Sequence, residues 1–236
     1  MDSTLRAIEA HFQVPLPALY VQLYQDGMLD WFLDGGIPNP NWYRDIYPRL
    51  RQRPPVLLYA PDFELIAPEQ VLEQDLICEP SPDHLFIPFG TTGAGDLYCF
   101  YPTLAENGQY PVTLTWHDED KTEVLAPSLD AFIFREMLAK VTAIDEYSLE
   151  GYSDFEALRQ DLLLAADSIR PYLKPAWNNI LDTVYRLPLR TETVVLPRTQ
   201  YTIQCLLTEA ELQEILAKEM PFTYAGHTFS CHPKQL

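Results

Sequence analysis

The chain has 236 residues, 47% of them hydrophobic, and its 34 carboxylates outnumber 16 lysines and arginines to give a formal net charge of −18. This composition excludes gross disorder and leaves room for one large domain or two small ones. The charge repels nucleic acid and anionic membranes and attracts basic partners.

No apolar run approaches the ~20 residues of a membrane-spanning helix. The opening Met1-Asp2-Ser3-Thr4 lacks the basic start and apolar centre of a secretory leader. Cys78, Cys99, Cys205 and Cys231 are scattered and form no CxxC pair, which predicts reduced thiols in a cytoplasmic protein.

Asp2 or Ser3 can cap a first helix bearing Leu5, Ile8 and Phe12. Pro17 suits the first turn of a second, with Leu19, Tyr20, Leu23 and Tyr24 as its apolar set and Gly27 as its stop. Trp31 and Trp42 flank a Gly/Pro/Asn loop and are expected to seal it onto the core. Arg44, Arg49, Arg51 and Arg53 form a basic cluster, expected to be a solvated helix face because the surroundings are so acidic. Val56 to Tyr59 and Phe63 to Ile66 read as strands around Ala60-Pro61-Asp62, and a short helix starts at Pro68.

Leu85 to Phe89 and Leu97 to Tyr101 are apolar strands separated by a loop with Gly90, Gly93, Gly95 and Asp96. The loop matches no phosphate fingerprint, since a strand rather than a helix follows and no Gly-Lys-Ser/Thr is present. Gly93 and Gly95 are therefore expected to serve backbone geometry, with the Asp96 carboxylate bonding N–H groups of the same loop. Asn107-Gly108 signals a tight turn. Val112, Leu114 and Trp116 alternate with polar residues, Asp118-Glu119-Asp120-Lys121 turns the chain, and Thr122 to Leu125 returns as a strand. Ser128 is placed to cap a helix with Leu129, Phe132, Ile133, Met137 and Leu138.

The run LFIPFGTTGAGDLYCFYP, followed by PVTLTWHDEDKTEVLAPSLDAFIFREML, resembles the SMI1/KNR4 family of the SUKH superfamily. Ile87-Pro88-Phe89, Gly95-Asp96, Pro111-Val112, Trp116-His117 and the segment Leu125 to Leu138 carry the likeness. Leu16-Pro17 and Tyr24-Gln25-Asp26-Gly27 resemble the family's opening. The resemblance covers roughly residues 1–142. It implies an α+β fold, with a mixed or antiparallel sheet flanked by helices, and a non-enzymatic protein-binding module. Bacterial relatives include immunity proteins that neutralise polymorphic toxins, often nucleases.

Beyond it, residues 143–236 read as a C-terminal α+β extension docked on the first unit. A capping box is expected at Ser153, then helices interrupted by Pro171 and Pro175, strands at Thr193 to Leu196 and Tyr201 to Leu207, a second capping box at Thr208, and a closing hairpin over Phe222 to Phe229.

Residues 1–150 hold 24 carboxylates and 8 basic side chains, while residues 151–236 hold 10 and 8. The acid excess thus falls on the family-like half, whose acids, among them Asp34, Asp96, Asp118, Glu119 and Asp120, are the expected contacts for a basic toxin domain. No cofactor, nucleic acid or membrane is expected to bind. His227, Cys231, His232 and Cys205 fit no zinc spacing, so no metal is expected there. The competing reading is a small acid/base hydrolase or ligand-binding enzyme using His84, Asp96 and His117, because an imidazole beside a carboxylate can move protons.

Overall fold

A computed structural model describes residues 2–32, 40–74, 83–196 and 198–231. The fold is α+β. A six-stranded antiparallel sheet is built from β1 (Glu64–Leu65), β2 (Ile87–Thr91), β3 (Leu97–Phe100), β4 (Val112–Thr115), β5 (Thr122–Ala126) and β8 (Thr228–Phe229), in that spatial order. The antiparallel neighbours β2–β3, β3–β4 and β4–β5 follow from short connections, whereas β8 reaches β5 from far along the chain. Between β3 and β4, Asn107 and Gly108 both take positive φ, and Glu106 and Gln109 exchange backbone hydrogen bonds of 3.0 and 2.9 Å across the tight turn the sequence predicts.

Helices α1 (Ser3–Phe12), α2 (Ala18–Gln25) and α5 (Leu129–Ala139) supply apolar side chains to the same core as the sheet, and the single-turn helices α3 (Trp42–Asp45) and α4 (Tyr47–Leu50) lie between α2 and β1 in the chain. Asp2 caps α1 by accepting from the Thr4 N–H at 2.8 Å. The sequence of α5 is apolar nearly all round, and the helix is buried on nearly every side. Phe132 meets Phe63, Phe89 and Tyr98 on the sheet side, while Phe134 stacks at 4.7 Å on Trp177 of α7 (Pro175–Val184). The same cluster of buried residues therefore runs from Leu5 to Leu216.

Residues after 142 also form α6 (Phe155–Ile169), the hairpin β6–β7 (Arg190–Leu196 and Thr199–Cys205) and α8 (Glu209–Glu219). The Thr208–Glu211 capping box is formed. Asp161 of α6 accepts from Arg51, from Tyr59 Oη at 3.2 Å and from Tyr152 Oη at 2.8 Å. Arg51 is thus drawn out of the solvated cluster, whereas Arg49 and Arg53 stay exposed. Trp31 is buried and donates to the Val56 carbonyl at 3.0 Å, and Trp42 donates to the Trp31 carbonyl at 2.9 Å.

Several local expectations are corrected. Val56 to Tyr59 is a turn, because Leu57 adopts φ 63° and the Ala60 N–H closes on its carbonyl at 2.9 Å. The cap of α6 is Asp154, accepting from the Ala157 N–H, and not Ser153. Ser128 heads α5 but bonds the Asp130 carboxylate instead of a backbone N–H. Phe222 to Phe229 is no hairpin. A turn over 222–226 leads into β8, which pairs with β5. Two-residue strands carry too little pattern for sequence to choose their partner.

Candidate functional site

Gly90 lies within β2, beside a bulge at Pro88/Gly90 where the ladder tolerates a proline. A Cβ there would come within 2.3 Å of the Phe63 ring, so the glycine is required by packing. In the loop that follows, Gly95 takes φ +99°, as expected of a glycine placed for geometry. Gly93 has no positive φ, and a Cβ at its position meets only Asp62 Oδ1 at 3.4 Å, so the geometric role expected of it is not required.

The loop's hydrogen bonds differ from expectation. The Gly93 N–H donates to Asp62 Oδ1 at 2.9 Å, and the Gly95 N–H to the Thr92 carbonyl at 3.0 Å. Thr92 also receives the Asp96 N–H on its hydroxyl at 3.0 Å. The Asp96 side chain turns away to the β4–β5 turn, where Oδ1 accepts from the His117 backbone N–H at 3.1 Å and from its ring Nδ1 at 2.7 Å. Asp62 takes the role expected of Asp96. Asp62 itself takes φ 47°, in the Ala60-Pro61-Asp62 turn.

Asp96 is buried, whereas His117, Asp118, Glu119 and Asp120 are exposed. Burial pushes the Asp96 carboxyl up, but hydrogen bonds from His117 and Thr92 outweigh it and hold the group below its ordinary range. The Asp96 hydrogen bond, helped by nearby Asp118, holds His117 above the ordinary imidazole value. Lys121 sits 4.0 Å over the Trp116 ring, and the Trp116 N–H closes the turn on the Lys121 carbonyl at 3.0 Å. The turn therefore presents Asp118, Glu119 and Asp120 from a braced base.

Asp96, His117 and Asp118 bring possible ligand atoms within 4.8 Å of one another. Asp96 Oδ1 is taken up by the two His117 N–H groups. His84 has other partners: its Nδ1 is 2.7 Å from Tyr101 Oη, and its ring stacks on Phe229 at 5.3 Å. Asp34 and His232 lie outside the described residues. An open groove of about 320 Å³ sits elsewhere, between Ala143–Asp145 and the β6–β7 hairpin. Its one carboxylate, Asp145, accepts from the Ser148 N–H at 2.8 Å.

A family model, the SMI1 / KNR4 family (SUKH-1), matches residues 2–135. The chain belongs to this family. The matched SUKH-1 segment contains the strands β1 to β5, the Asp96–His117 pair and the first two turns of α5. No curated protein and no solved structure matches the chain. No helix among the described residues is long and apolar enough to cross a membrane.

Proposed function

We propose that this SUKH-1 chain is a cytoplasmic, non-enzymatic immunity protein that binds a basic toxin domain through the acidic end of its sheet. Membership of the family supports a binding module. The observation that carries the partner's chemistry is charge placement: net −16 over residues 1–150, with Asp118, Glu119 and Asp120 exposed on one braced turn. A toxin that grips nucleic acid is basic where it works, and an acidic inhibitor complements it in both approach and docking. Asp96 contributes by holding the turn in place, and Asp34, outside the described residues, is proposed as a further contact on its charge alone.

The Asp96–His117 pair favours a second reading, acid/base catalysis, because it joins a carboxylate to an imidazole at 2.7 Å. One experiment separates the two. The product of the gene neighbouring this one is co-expressed with the chain, and survival is scored. Asp118→Lys with Glu119→Lys should abolish protection and slow association, and the wild-type association rate should fall as salt rises. His84→Ala and His117→Ala should still protect. Stable histidine variants that lose all protection would replace the binding module with an enzyme.

A further inference from the structure

Before β2 and after β3 the chain carries a slab of aromatic rings. Phe86 stacks on Tyr101 at 5.0 Å, and His84 lies nearly parallel to both. Phe229 closes the slab, 5.3 Å from His84 and 5.4 Å from Tyr101, with the exposed His227 ring 6.4 Å from it at 28°. Phe229 arrives from the C-terminal segment, 93 residues past the end of the family match at 135 by the start of β8.

Among the described residues that segment is held by a short ladder and a handful of further bonds, with the Thr122 hydroxyl 3.5 Å from Cys231 Sγ. Among the described residues its ladder to β5 is two pairs, Thr122↔Phe229 and Glu123↔Thr228. The Gly226 N–H donates to the Val124 carbonyl at 2.8 Å, the Val124 N–H to the His227 carbonyl at 3.0 Å, and the Cys231 N–H to Asp120 Oδ1 at 2.7 Å. Residues 223–228 are all exposed. Few buried contacts and exposed backbone bonds mark a segment that opens far below the cost of global unfolding. What it covers is well built: the β5 edge, whose Val124 is fully buried, and the stacked floor of His84, Phe86 and Tyr101.

We propose that the β5 edge and this aromatic floor form a strand-docking site, held closed in cis by residues 222–231 and opened to an extended, aromatic-bearing segment of a partner protein. The cis strap displays the chemistry the site selects. It has a strand backbone to extend the sheet, an aromatic ring two residues before a backbone N–H, and that N–H donated to Asp120. Strand addition to a free edge recognises partners in this way, with main-chain bonds for affinity and side-chain pockets for specificity. Asp120 is shared with the proposed acidic face, so partner and strap compete for it. The choice of a protein as occupant rests on the binding-module reading. The strap and its site do not.

Hydrogen–deuterium exchange on the full chain tests the strap. Amides of residues 222–231 and of Val124 should exchange at least 100-fold faster than those of Tyr98 and Leu114 in the central β3–β4 pair. Equal protection overturns the proposal. In full-length Phe229→Ala, strap exchange should rise at least tenfold with β3–β4 unchanged, and a fluorescent peptide of residues 221–231 should bind at least tenfold more tightly than to wild type. A released strap with no gain in peptide binding overturns it too. Thr228→Pro, on an exposed position of β8, replaces that variant if Phe229→Ala loosens the central strands. A salt-independent association rate would defeat the acidic face while leaving these readings unchanged, so the two failures are distinguishable.

Discussion

Asp96 and His117 stand 21 residues apart and meet through two hydrogen bonds from one residue to one carboxylate oxygen. The bond ties the glycine loop of β2–β3 to the acidic turn of β4–β5. The His117 backbone N–H bond, which any residue but proline can make at 117, braces the base of the turn that carries Asp118, Glu119 and Asp120.

Asp96→Asn should lower the His117 pKa toward that of a free imidazole, as read by NMR titration of the ring protons. The wild-type pair also sets a pH dependence. Asp96 is held low in the fold, so its contribution is present above its unfolded pKa and lost as pH falls through the folded one. His117 is held high, so its contribution is full below the unfolded imidazole pKa and lost as pH rises through the folded one. The loops are therefore tied best at mildly acidic pH, between the ordinary carboxylate and imidazole ranges. Thermal melts of wild type and Asp96→Asn should differ most there. A difference that is flat with pH would refute the coupling.

The three glycines should respond differently in urea titrations. Gly90→Ala forces a methyl into the Phe63 ring and should cost about 1–3 kcal/mol. Gly95→Val places a branched side chain at φ +99° and should cost a similar ~1–3 kcal/mol. Gly93→Ala meets no tight contact and should stay within about 0.5 kcal/mol of wild type.

Asp161→Ala should leave Arg51 without its carboxylate and Tyr59 and Tyr152 without their acceptor. Because Asp161 is buried, the expected loss is about 2–4 kcal/mol. Arg51→Met in the Asp161→Leu background should recover part of it, since a matched apolar pair leaves no buried charge. No recovery would mean that the tyrosine bonds carry the stability.

We propose that residues 143–221 unfold together with the family domain. Phe134 stacks on Trp177, Tyr185 Oη donates to the Met137 carbonyl at 2.9 Å, and the Ile144 N–H donates to the Gln204 carbonyl at 2.7 Å. Limited proteolysis should spare the junction at 145–152, and calorimetry should show one transition. Cutting near Glu150 into two separately stable halves would establish independent domains instead.

Much of the fold was legible in local pattern. Asp2 before α1, the Thr208–Glu211 box, Asn107-Gly108 and the alternation of β4 each act within a few residues, where capping and turn chemistry decide conformation. The apolar set of α5 marked a core helix, and the acid count located the charge. Tertiary structure alone decided which groups meet. A period-two strand pattern states which face a side chain takes but not which strand lies beside it, so β8 on β5 was not readable. Asp96 had donors available in its own loop and across the sheet, and only the β3–β4 register brought the His117 N–H groups closer. The need for glycine at 90 lies in a phenyl ring 27 positions earlier, at Phe63, and no local rule reaches that far.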